Sequence, residues 1–351
     1  MERCYQTAIV ILLMMTMPLT EAVAATTAPS AGYAATIKIG KGRERVILLG
    51  CKDGRVLYRQ PDAPPQAMAA FALKDISGAK IKLPYDRQGI SKALSKGNWQ
   101  AAATTLFRAV RPAVSLLQIR NNDLVPLALR SGTYLMRAGS LKAQGGWTKP
   151  ARERAASEYK AAYAMLMNVS ACTWSSRAPK AKLNAVICLV MMDRIEEAER
   201  LLDTVPEHTR DDDSYGLYHL AKAYVQLAKE DPHAAMASAV ESVAYETKDL
   251  DTFPAALLIS AKCYEDLGNW HRARDVYYEV GRLFKKTVWA TQAIRRLKFI
   301  VAEGHTAQDE QARINKVFFG VEEDMNAKVA EFLGGKKPNA DQAQKKEKKK
   351  K

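Results

Sequence analysis

The sequence has none of the short signatures by which local chemistry announces itself. It has no CxxC pair, no HExxH, no GxSxG, no GxxxxGK[ST] loop and no GxGxxG. These absences remove zinc ribbons, dithiol redox centres, helix-borne zinc hydrolases, nucleophile elbows, triphosphate loops and dinucleotide folds as readable assignments. Histidine is scarce, and His208, His219, His233, His271 and His305 show no metal-binding spacing. His219, between Tyr218 and Leu220, reads as a helix-surface residue. Gly40-Lys41-Gly42 is too short to cradle a phosphate and reads as a turn between strands, and Asp211-Asp212-Asp213 as solvated residues before a helix. No catalytic residue, metal ligand or cofactor site is assigned.

Long apolar runs are also missing beyond the first two dozen residues. There Arg3 precedes an uncharged stretch from Ala8 to Leu19, followed by Ala22-Val23-Ala24. The order is that of a secretory signal peptide, and the run is too short, and broken by Thr16 and Pro18, for a membrane span. The expectation is cleavage before Ala25 and a soluble, extracytoplasmic protein. Removing Cys4 would leave Cys51, Cys172, Cys188 and Cys263. An even number permits disulfides after export, with Cys172 and Cys188 nearest. Cys188 and Cys263 sit on apolar helix faces, where a free thiol behaves as a small hydrophobe.

Charge of one sign is in excess, at +15 formally. The tail from Gly334 holds eight lysines against Asp341 and Glu347 and should be disordered, and the rest of the excess reads as spread along the chain. For an exported chain, polyanion partners would be lipid headgroups or polysaccharide through the basic surface and tail. Nucleic acid is not favoured.

What is present begins with strands. Residues 25–35 are small and polar, a linker. Thr36–Ile39, Arg45–Cys51, Arg55–Gln60, Met68–Leu73 and Ala79–Leu83 are β-branched or alternating segments around an Asp53-Gly54 hairpin turn. Residues 36–86 are expected to form a small β module, a barrel or curled sheet that loosely resembles SH3-like or Sm-like barrels.

From 87 to 333 the pattern is helical and comes in pairs. In the segment from Ala256 to Ala293, Leu257, Ala261, Tyr264 and Leu267 share one helix face, and Ala273, Tyr277 and Val280 another, around Leu267-Gly268-Asn269-Trp270. The turn recurs as Gly97-Asn98-Trp99, and Ala221 with Tyr224 matches Ala261 with Tyr264. Alternation of small and aromatic positions resembles the tetratricopeptide repeat, and Phe284 to Leu297 resembles the repeats of cell-envelope assembly proteins. The fold expected is mainly α, a solenoid of antiparallel helix pairs behind the β module. A last helix opening at Thr306, with Phe318, Phe319, Val321, Val329 and Phe332 on its apolar stripe, is expected to cover the end of the stack.

The resemblance implies a non-enzymatic scaffold or adaptor that holds a protein or peptide partner in the cell envelope. Its groove would be lined by Leu183, Ile187, Val190, Tyr215, Tyr218, Lys222, Val225, Leu258, Lys262, Glu265 and Asp266. Alternatives are a polyanion-binding envelope protein and an envelope enzyme such as a glycan hydrolase, the latter requiring a carboxylate pair that the sequence does not show.

Overall fold

The structure is a computed structural model that describes residues 32–143, 147–206, 212–246 and 249–305. The expected leader, most of the expected linker, the helix expected from Thr306 and the lysine tail lie outside the described residues. The chain separates into two compact units. One runs to Tyr85 and includes Arg108–Leu124, and the other comprises Asp86–Phe107 and the chain from Val125. Residues 108–124 therefore group with the strands, whereas the sequence pattern placed everything after 86 in the helical part.

In the first unit β1 (Tyr33–Ile39), β2 (Gly42–Lys52), β3 (Arg55–Arg59), β4 (Ala69–Ala72) and β5 (Ile76–Ile81) form an antiparallel sheet in the order β4-β3-β2-β1-β5. Its edges are β4 and β5, so the module is a sheet and not a closed barrel. Period-two alternation builds its core: Tyr33, Ala35 and Ile37 of β1 are buried, as are Val46, Leu48, Val56, Ile76 and Ile81. Asp53 and Gly54 both take positive φ, as a two-residue hairpin turn of the primed type requires. A 3-10 segment, Arg111–Gln118, packs on β2 and buries Ala113, Leu116 and Leu117. Its end is held by Asn122, whose buried Nδ2 donates to the carbonyls of Leu116, Leu117 and Ile119 while Oδ1 accepts from Leu124 N–H at 2.9 Å. Ile81 N–H donates to Asp123 Oδ1 at 2.8 Å, tying this segment to β5.

The second unit is helical: α1 (Arg87–Ser95), α2 (Trp99–Val110, its last residues in the first unit), α3 (Leu124–Lys142), α4 (Lys149–Ser170), α5 (Ala178–Met191), α6 (Ile195–Asp203), α7 (Tyr215–Ala228), α8 (Pro232–Tyr245), α9 (Thr252–Asp266), α10 (Trp270–Leu283) and α11 (Val288–Ala302). Four pairs close with one device. Gly97, Asp193, Glu230 and Gly268 adopt positive φ. The N–H of the residue after each (Asn98, Arg194, Asp231, Asn269) donates to a carbonyl five residues back, at 2.8 to 3.0 Å. Asn98, Asp231 and Asn269 then cap the next helix through their side chains. This is the physical basis of the repeat. Sequence reading saw it at the two glycines and missed it where aspartate and glutamate stand instead.

Packing follows the small residues. Ala261 and Ala273 are fully buried in one cluster with Tyr277, Val280, Ala293, Leu297 and Ile300, which joins α9, α10 and α11. Between α3 and α4 a glycine makes the room: a Cβ on Gly132 would meet the Leu166 side chain at 2.7 Å. Across the α9–α11 contact Glu265, almost fully buried, accepts from Arg296 Nε at 3.0 Å. Sequence periodicity recovered these helices because their apolar stripes are real, with boundaries displaced by a few residues.

Candidate partner-binding site

The helical unit contains a pocket of about 210 Å³. Its walls come from the first helices of successive pairs. On α3, Thr133, Met136, Arg137 and Ser140 follow at three- and four-residue steps and form one face. On α5 the same geometry selects Lys180, Asn184, Ile187 and Met191, and on α7 Leu217, Leu220 and Tyr224. Asp251, Thr252 and Ala255 at the start of α9 and Trp289 and Gln292 of α11 complete the wall, with Tyr159 entering from α4.

Two direct ties bring α3 to helices far along the chain. Arg137 forms an ion pair with Asp251, and Gln292 Nε2 donates to Ser140 Oγ. Arg137 is also held from behind, its guanidinium 4.5 Å from the Trp99 ring centroid. Burial pulls its pKa down to about 10, against the opposing fields of Tyr134 and Asp249, so it stays charged at neutral pH. Tyr159 and Tyr224 are pushed well up, chiefly by burial, and remain neutral phenols. Trp147 packs against Tyr224, ring centroids 5.2 Å apart. The result is an aromatic and aliphatic cavity with two cations, Arg137 and Lys180, and two carboxylates, Asp249 and Asp251, at its wall. That combination orients a ligand by few polar contacts and holds it by apolar area.

Of the eleven groove residues expected from sequence, Ile187 lines this pocket and the other ten do not. Leu183 and Val190 are fully buried on other sides of α5, because that helix packs against α4, α6 and α7 and its apolar residues mark no single face. Tyr215 turns to α8, where its hydroxyl donates to Glu241 Oε2 at 3.0 Å and its ring meets Tyr245. Val225 is buried, and Tyr218 and Lys222 are half-buried, with Tyr218 against His219. Leu258 packs on the cluster around Ala261 and Ala273, while Lys262, Glu265 and Asp266 form ion pairs among themselves and with Arg296. The pocket face of α7 and α9 lies to one side of the stripe chosen. Asn184, Ser140 and Gln292 are neutral polar residues at pocket-facing positions, but their helices carry other polar and charged residues, so the sequence alone does not single them out.

His219 is half-buried between the rings of Tyr215 and Tyr218 at 4.4 and 5.4 Å. Among the described residues no group of three His, Cys, Asp or Glu side chains converges as metal ligands would, and no helix is long and apolar enough to cross a membrane.

Antiparallel helix pairs joined by one repeated turn, with a pocket walled by their first helices, are what a repeat family would show. Residues 153–223 match the tetratricopeptide repeat family. The match runs from α4 through α5 and α6 into α7, beginning upstream of the region where the sequence resemblance was clearest. No curated protein matches the chain. Tetratricopeptide repeats generally bind protein partners and generally carry no catalysis, which makes a protein-interaction scaffold the coarse reading of this segment. The pocket includes α5 and α7 of the matched stretch and extends beyond it to α3, α9 and α11.

Proposed function

We propose that the chain is an exported, non-enzymatic adaptor that captures a protein partner by taking one or two large side chains of an exposed segment into the α3–α11 pocket. The pocket itself carries this reading: about 210 Å³ is too small for a bound helix or a drug-sized ligand, and it suits a projecting aromatic or branched side chain. Tyr159, Tyr224, Ile187 and Met191 supply the apolar contact, and Asn184, Ser140 and Gln292 supply neutral hydrogen-bonding groups for the flanking backbone. The paired Arg137 and Asp251 at the wall favour a partner segment of mixed sign over a strongly charged one. Cell-envelope assembly is the setting we favour, supported by the leader-like first residues and by the likeness of Phe284 to Leu297 to envelope repeats.

A photo-crosslinking residue at Asn184, introduced in the native host, tests the site. Crosslinks to one or a few proteins, lost when Ile187→Trp fills the cavity, are the expected result. Crosslinking that persists unchanged in a folded Ile187→Trp protein would place the interaction elsewhere. Terminal sequencing of the protein from the same cells tests export: a start at Ala25 or Thr26 supports it, and an intact Met1 ends it.

A further inference from the structure

Sequence reading leaves the positive charge looking dispersed, but the fold gathers it. Residues 32–85 and 108–124 of the first unit hold thirteen Lys and Arg against five Asp and Glu. Strand register then sorts them by face. Tyr33, Ala35 and Ile37 of β1 point into the core, so Ala34, Thr36 and Lys38 point the other way. Their partners on β2 are Ile47, Arg45 and Arg43. On the far side of β1, Thr36 pairs with Lys80, and Lys82 N–H donates to the Ala34 carbonyl. Lys38, Arg43, Arg45, Lys80 and Lys82 therefore share the outer face of the sheet, and all five are exposed. Glu44 pairs with Ile37 and so lies on the opposite face, while Asp53, Asp62 and Asp75 fall outside the strands. None of the ion pairs among the described residues involves any of the five cations.

We propose that this sheet face docks on an anionic phospholipid surface. Arg45 and Lys80 stand on either side of Thr36, roughly 10 Å apart across two strand spacings. The cations thus form a two-dimensional array of one sign, with Ile47 among them. Such an array is complementary to a uniformly negative plane and needs no register with it. Single-stranded nucleic acid fits less well, because binding it draws on aromatic stacking platforms. Tyr33 is buried, and Tyr58 stacks on Phe71 at 4.2 Å in register with inward-facing Leu48, so neither ring belongs to this face. A protein partner would be recognised by interleaved charges of both signs, which the five positions do not offer. The face belongs to the β unit and the pocket to the helical unit, so the two proposals stand or fall separately.

The test is co-sedimentation of the full chain with vesicles of phosphatidylglycerol in phosphatidylcholine, and with phosphatidylcholine alone, at low and high salt. Each cation near the surface strengthens partition about fivefold at low ionic strength, so Arg45→Ala/Lys80→Ala/Lys82→Ala should lose on the order of 100-fold. Removing the same charge from the helical unit with Lys92→Ala/Arg282→Ala/Lys285→Ala should cost far less, and Lys80→Arg/Lys82→Arg should bind as the parent does. Circular dichroism confirms that each variant is folded. Equal losses in the two triple variants, or binding indifferent to lipid charge and salt, would overturn the proposal. It is equally overturned if the sheet-face variant keeps its vesicle binding and loses affinity for a single-stranded oligonucleotide instead.

Discussion

Glu246 sits just past α8, half-buried, and its carboxyl is raised above the ordinary glutamate range, first by burial and then by Asp249 and Asp213, with Lys180 opposing. A carboxyl whose folded pKa is raised holds its proton more tightly in the native state. Its contribution to stability is complete below the unfolded value and is lost as pH rises through the folded one. At neutral pH the ionised form is therefore a small liability. Glu246→Gln should raise the melting temperature at pH 7 and leave it unchanged near pH 4, and a pH-independent difference would mean that charge is not the cause. The cysteines make a second residue-scale case. Cys51, Cys172, Cys188 and Cys263 are thiols, not joined in disulfides, in the structure. Burial pushes Cys51 and Cys263 up to about 12 and raises Cys172 and Cys188 as well, so none is poised as a thiolate. The structure does not form the Cys172–Cys188 bridge that the sequence permitted: Cys188 packs as a small apolar group, and Cys172, also buried, donates from Sγ to the Asn168 carbonyl at 3.5 Å. Maleimide added under denaturing, non-reducing conditions should label both, and protection of the pair would show that they oxidise in the host.

At the scale of elements, the shared turn between paired helices makes the sharpest claim. Glu230 takes φ 61° where Gly97 and Gly268 take 70° and 72°. Left-handed backbone costs a residue with a Cβ roughly 1 kcal/mol, a cost glycine does not bear. Glu230→Gly should accordingly stabilise the protein by about 0.5–1 kcal/mol in urea titration. Asp193→Gly should gain less, because Asp193 also accepts from Arg152 at 2.6 Å. If Glu230→Gly is the less stable variant, the turn is not strained as its φ implies. The α9–α10 crossing gives the complementary test, since Ala261 and Ala273 leave no exposed surface between the helices. Ala261→Trp should cost on the order of 1–3 kcal/mol or more by overpacking. Asp266→Ala, on the exposed side of α9, should stay within roughly 0.5 kcal/mol of the parent. Equal melting temperatures for the two would show that the repeat register is misassigned.

On the scale of the whole molecule, the helical unit departs from a chain of nearest-neighbour repeats. A solenoid stabilised only by adjacent contacts unfolds as a sum of local steps. Here α3 is tied to α9 by Arg137 and Asp251 and to α11 by Ser140 and Gln292, so early and late helices stabilise one another around the pocket. Arg137→Met/Gln292→Ala should lower the urea m-value and expose α11 to hydrogen exchange before α5. A variant that simply shifts the midpoint at constant m would indicate that these ties add stability without coupling the ends.

The sequence by itself determined the elements and their order. The β-branched Thr36–Ile39 segment, the Asp53-Gly54 turn and the Ala261 and Ala273 stripes are local patterns, and local geometry reads them directly, although β1 begins at Tyr33, inside the expected linker. It did not determine which residues line the pocket. Apart from Ile187, the expected groove residues occupy other faces, because in helices as apolar as α5 every direction looks like an interior. Nor did it separate Arg111–Gln118 from the helical unit, since that segment's apolar residues satisfy either core. Those choices belong to the tertiary structure: which neighbour a helix face meets depends on segments more than a hundred residues away, as Gln292 and Ser140 show, and no periodicity within a single helix carries that information.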